Sequence, residues 1–159
     1  MFVDRSGKAL NFKVTVRGER AAEWLRSVAA AIGAPAPDDA GELLMLPLVL
    51  SDVKGWQVEF HLYATTSTLP GPRLLTLKSA DAVVELFDGV SASARAERVA
   101  SLSRDLSAFG YDAETFPRFA VSTEPVAGFE QTAASEGPMV LVKKVSRRLL
   151  VDAREQLES

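Results

Sequence analysis

The sequence predicts an α/β domain of three layers, built on a mostly parallel sheet with one antiparallel hairpin at its edge. Three observations carry this. A strand, a glycine and a helix follow one another over residues 10–33, the opening of a βαβ unit. Residues 43–63 read as two strands that meet in a turn. Residues 82–87 form a nearly unbroken apolar run, the mark of a strand covered on both faces, and an amphipathic helix follows.

In the first unit, Leu10, Phe12, Val14 and Val16 alternate with Asn11, Lys13, Thr15 and Arg17, which gives a strand with one buried face. After Gly18, Trp24, Leu25, Val28 and Ile32 share one helical face, and Gly33 stops the helix ahead of Pro35 and Pro37. Leu43–Leu50 is a strand that contains Pro47. Proline has no N–H to donate, so this strand belongs at an edge or carries a bulge. Ser51–Gly55 is the turn, and Trp56, Val58, Phe60 and Leu62 mark one face of the return strand. Ala64–Arg73 holds two prolines and a glycine, too many breakers for a regular helix, and Leu74–Lys78 is one short helical turn.

In the second half, residues 92–109 place Ala96, Val99, Leu102, Leu106 and Phe109 inward and Arg95, Arg98 and Arg104 outward. Strands follow at Phe116–Ser122 and Phe129–Ala134. A last helix runs over Gly137–Leu157, with Met139, Val142, Val145, Leu149, Ala153 and Leu157 as its stripe. At 159 residues the whole chain, 1–159, is expected to form one domain.

Composition narrows the function. The net charge is −3 and no basic run occurs, which argues against a nucleic-acid groove or an anionic membrane surface. Cysteine is absent, so thiolate catalysis, disulfides and Cys-ligated metals are excluded; this fits a cytoplasmic protein. One histidine excludes a His-rich zinc site. Met1–Lys8 carries charge where a signal peptide needs an apolar core, and no apolar run approaches the roughly 20 residues of a membrane span.

The element order is that of Ras-like small GTPases, in which one antiparallel strand pairs at the sheet edge. Residues 2–14, Leu46-Pro47-Leu48 ahead of Gly55-Trp56, Phe60-His61-Leu62-Tyr63, residues 75–84 and Phe109-Gly110-Tyr111-Asp112 resemble the MglA family, the bacterial Ras-like GTPases of cell polarity and gliding motility. The likeness is densest over 2–18 and 43–125. It implies a Ras-like, P-loop-GTPase-like fold, reduced near the C-terminus.

The departures from that family all fall in the nucleotide site. A P-loop needs Gly-x-x-x-x-Gly-Lys-Ser/Thr, so that backbone N–H groups wrap the phosphates and Lys and a hydroxyl reach phosphate and Mg²⁺. Here the strand leads into Gly18-Glu19-Arg20-Ala21-Ala22-Glu23, with one glycine, no lysine and two carboxylates that repel an anion. Tyr63 is followed by Ala64-Thr65-Thr66-Ser67, without the family's Pro-Gly-Gln. The base-reading Asn-Lys-x-Asp falls at Thr123-Glu124-Pro125-Val126. A helix is missing after this point, and Ala134-Ser135-Glu136 is a faint echo of the last base-contacting loop.

The remaining polar residues read as structure. His61 beside Glu59 belongs to a framework strand. Asp52, Lys54 and Gly55 make a turn. Thr65–Thr68 have hydroxyls but no base near them, and Asp88 is a lone carboxylate at a strand's carboxyl end. Trp24 and Trp56 read as core or edge packing rather than as ligand platforms. The expectation is therefore a non-enzymatic MglA-like pseudo-GTPase without cofactor or metal, acting as an interaction module in polarity or motility. The resemblance implies a roadblock/LC7-domain partner of the MglB type, or an MglA-type GTPase. The expected contact residues are Leu48, Asp52, Lys54 and Trp56 on the hairpin and Leu69, Pro70, Pro72 and Arg73 in the loop. The enzyme-class alternative is a divergent nucleotide binder or slow hydrolase using Arg20 and Asp88, and a homodimer joined through the hairpin edge is a third possibility.

Overall fold

The computed structural model describes residues 1–40, 43–65 and 70–158, with the side chains at 38–40, 50–52, 70, 72, 73 and 156 outside that description. The strands are β1 (Phe2–Asp4), β2 (Ala9–Arg17), β3 (Asp38–Ala40), β4 (Leu43–Val53), β5 (Trp56–Thr65), β6 (Ala82–Leu86), β7 (Arg118–Val121) and β8 (Glu130–Thr132). The helices are α1 (Ala21–Ala31), α2 (Pro70–Leu75), α3 (Ala92–Ala108), α4 (Pro138–Asp152) and α5 (Arg154–Glu158), with one 3₁₀ turn at Ala134–Glu136. All eight strands join one mixed sheet in the order β3-β4-β5-β2-β6-β7-β8. β2, β5, β6, β7 and β8 run parallel, β3–β4 and β4–β5 pair antiparallel, and β1 lies antiparallel beside the first residues of β2.

Alternation along the strands gives the sheet two faces. On one, Leu10, Phe12, Val14, Leu46, Val58, Phe60, Leu62 and Val84 meet Leu25 and Val28 of α1 and Leu141, Val145 and Leu149 of α4. The rings of Phe12 and Phe60 stack there at 5.0 Å. On the other face, Val83 packs on Leu77 and on Leu102 and Leu106 of α3. That second layer lies over β6 and β7 and, through residues 76–78 and Asp105, over the carboxyl end of β2.

The hairpin forms as its sequence demands. Lys54 (φ 52) and Gly55 (φ 82) both take the left-handed region, the geometry of a type I′ turn, and close the pair Val53–Trp56. Pro47 sits where β4 has no outer neighbour among the described residues, because β3 pairs with Leu43–Met45. A bulge lies between Leu50 and Val53. Both devices blunt an edge strand.

Several expectations are corrected. The segment after Tyr63 does hold a helix, α2. Its two prolines lie in the first turn, where a missing N–H has no partner to lose. Ile32 is 39 % exposed rather than packed, since α1 ends at Ala31. Ala96 is exposed, while Arg98 turns toward the sheet. The last helix breaks at Ala153, and nothing in its sequence accounts for the break. One expectation is met: between β7 and β8 the chain crosses in residues 122–129 without a helix. Strands of three to four residues leave only a short distance to recross. Phe129 fills the space, edge-on to Phe87 at 5.8 Å and under the Arg118 guanidinium at 5.1 Å.

Gly18 has φ +138, and a Cβ there would stand 3.0 Å from the Leu86 Cβ. Gly55 has open space around it. Gly18→Ala is therefore expected to lose about 1–3 kcal/mol to backbone strain plus a similar overpacking cost. Gly55→Ala should lose only the strain, about 1–2 kcal/mol. Urea unfolding of both variants checks the ranking; equal losses would contradict it.

Candidate functional site

β2 is flanked by β5 on one side and β6 on the other. The chain leaves β2 into α1 on one face and leaves β6 into α3 on the opposite face. The crevice outside the carboxyl ends of β2 and β6 is thus the topological switch point, where open α/β sheets bind ligands.

A side chain of the protein fills it. Arg98, from the second turn of α3, donates to the Leu86 carbonyl at 2.9 Å and to the Arg17 carbonyl at 3.4 Å, so it bridges the ends of both strands. The same guanidinium meets the Glu85 Oε2 and lies 4.8 Å from the centre of the Phe87 ring. Glu85 is fully buried. Its other oxygen is 3.1 Å from Arg17 Nε, out of line for a hydrogen bond but close enough for an ion pair. Arg17 reaches on to Asp105 of α3 at 3.3 Å. Two carboxylates and two guanidiniums make a neutral cluster. A buried carboxylate persists only with such partners.

The cluster also explains α3. Its buried apolar residues are Leu102 and Leu106, both in its second half. The first half is held by polar contacts: Ser91 caps the helix through the Ala94 N–H, Arg95 pairs with Glu124 at 2.9 Å, and Arg98 makes the contacts above.

The connection from β2 to α1 is three residues, 18–20. The Ala21 N–H closes onto the Gly18 carbonyl at 3.2 Å, and Glu19, Arg20 and Glu23 are exposed. Asp88, the other residue named for a nucleotide-binding alternative, is exposed beyond β6. A cavity of about 10 Å³ lies in the apolar core beside Trp24, Leu48, Phe60 and Val142, room for one water at most. Among the described residues, no group of three or more His, Cys, Asp or Glu could hold a metal ion, and no helix is long and apolar enough to cross a membrane.

The expected contact residues are dispersed. Leu48 and Trp56 are buried, at 8 % and 4 % exposed, so their side chains belong to the core. Their alternation with exposed neighbours put them on the inner face of β4 and β5. Lys54 is exposed at the turn, 3.5 Å from Glu158. Leu69 lies outside the described residues. So do the side chains of Asp52, Pro70, Pro72 and Arg73, whose backbones belong to β4 and α2. The Thr66–Thr68 hydroxyls lie outside the described residues as well. His61 is 3.5 Å from Glu59 on the sheet face that α3 leaves open.

Sequence reasoning missed Glu85, Arg17 and Arg98. One signal was present: a glutamate inside an apolar strand needs a buried counter-charge. No protein-family model matches the chain, and no curated protein matches it.

Arg98→Met should cost about 3 kcal/mol, the lower end for breaking a buried pair, because Arg98 is itself partly exposed. Glu85→Gln should cost less, about 1–3 kcal/mol, since the freed arginines can turn to water. Denaturant midpoints test this; an Arg98→Met loss below about 0.5 kcal/mol would mean the cluster is ornamental.

Proposed function

We propose that this chain is a non-enzymatic, MglA-like pseudo-GTPase that works through protein–protein contacts in a bacterial polarity or motility system. One observation carries the reading: Arg98 occupies the crevice in which a sheet of this kind would hold its ligand. The sheet order supports the Ras-like part. Along β4-β5-β2-β6-β7-β8, only β4 runs against the others, the arrangement expected from the resemblance. The three-residue β2–α1 connection supports the loss of phosphate binding, since it offers neither the glycines nor the lysine of a cradle.

A roadblock/LC7-domain protein of the MglB type, or an MglA-type GTPase, is the proposed partner, in the cytoplasm. The proposed contact surfaces are two: the Lys54 turn, ahead of β5, and the segment 68–73, beyond the opposite end of that strand. A region with no γ phosphate to hold it takes its shape from packing. Leu77, just after α2, is fully buried against α3, and the Thr76 carbonyl accepts from the buried Thr15 hydroxyl at 2.6 Å.

The test is a thermal-shift titration with GTP, GDP and ATP, each with Mg²⁺, at millimolar concentration. Ligands stabilise only the state they bind, so the expected shift is under about 1 °C for all three. A shift of several degrees with one nucleotide would overturn the reading in favour of a divergent nucleotide binder.

A further inference from the structure

The half of the sheet that α3 does not cover presents a set of aligned rows. By strand register, Phe2, Asn11, Glu59 and Val49 lie side by side across β1, β2, β5 and β4. Lys13, His61 and Pro47 form the next row, and Ala9 and Gln57 the row before it. The first row is apolar at both ends, with Phe2 63 % and Val49 54 % exposed, and polar in the middle. A parallel pair such as β2–β5 is ordinarily covered on both faces.

We propose that this face binds a second copy of the same chain, face to face about a two-fold axis parallel to the strands. The row is self-complementary under that operation. Rotation about an axis between β2 and β5 carries Phe2 of one copy over Val49 of the other and sets the Asn11 amide against the Glu59 carboxylate. Each contact then occurs twice, as an isologous interface requires. Two sheets packed this way stay within about 30° of alignment, so the registration survives across four strands. Lys13 meets His61 in the next row, but its ammonium is turned away, donating to the Lys78 carbonyl at 2.7 Å beside the Tyr63 ring. The edge of β4 is the less suitable contact, because Pro47 and the bulge disrupt strand addition.

Size sets the strength. Four strands about 4.8 Å apart and three rows give a footprint of roughly 400 Å² per copy. The total of roughly 800 Å² is below the ~1,200 Å² of stable complexes, so the dimer is weak and reversible.

Sedimentation or light scattering of the intact chain between about 5 µM and 1 mM tests this. The mass is expected to rise toward twice the monomer with concentration. Phe2→Lys and Val49→Asp, both on exposed side chains, should each weaken dimerisation about tenfold or more, and the double variant should recover it by placing Lys over Asp. Unchanged circular dichroism melts establish that the variants remain folded. A monomer at every concentration overturns the proposal, as do single variants that still dimerise or a double variant that fails to recover.

Discussion

The interaction on which the rest of this structure depends is the buried carboxylate of Glu85 held between two guanidiniums. Taking that charge out of water is costly, and the cost is offset only because Arg98 and Arg17 converge on it from α3 and β2. Geometry then couples the elements. Arg98 cannot hold Glu85 without lying across the ends of β2 and β6, where it also satisfies two carbonyl groups. The planar fork of arginine suits this task, since it serves three acceptors and stacks on Phe87 at once.

Two consequences follow for function. The crevice that fold geometry reserves for a ligand is closed from within by a side chain that also anchors a helix. Opening it would remove the Arg98–Glu85 pair and leave the first half of α3, which has no fully buried apolar residue, held by the Ser91 cap and the Arg95–Glu124 pair. Under the proposed function the site is a structural joint and recognition falls to the surfaces: the Lys54 turn and the 68–73 segment, at opposite ends of β5, and the face of β1, β2, β5 and β4 proposed above.

Much of the architecture was legible in the residues. The period-two pattern of β2, the apolar run of β6 and the Pro47 strand each gave the correct element and placement, since one face was buried and register was therefore fixed. Helix α2 was not legible, because breaker counting ignores that prolines are harmless in a first turn. The inward turn of Arg98 was hidden by periodicity. A helical wheel assigns an arginine outward and does not see a buried carboxylate on another element. Of the expected contact residues, Leu48 and Trp56 failed because an apolar residue in a hairpin is equally compatible with core and surface until the sheet's covered face is known.

Hydrogen exchange, followed across residues 17–21 and 85–98 with and without Mg²⁺ and GTP, tests the closed joint most directly. Exchange there should be unchanged by nucleotide in the native chain and clearly faster in Arg98→Met. Protection of these segments by nucleotide, or an Arg98→Met variant that exchanges at the native rate, would contradict it.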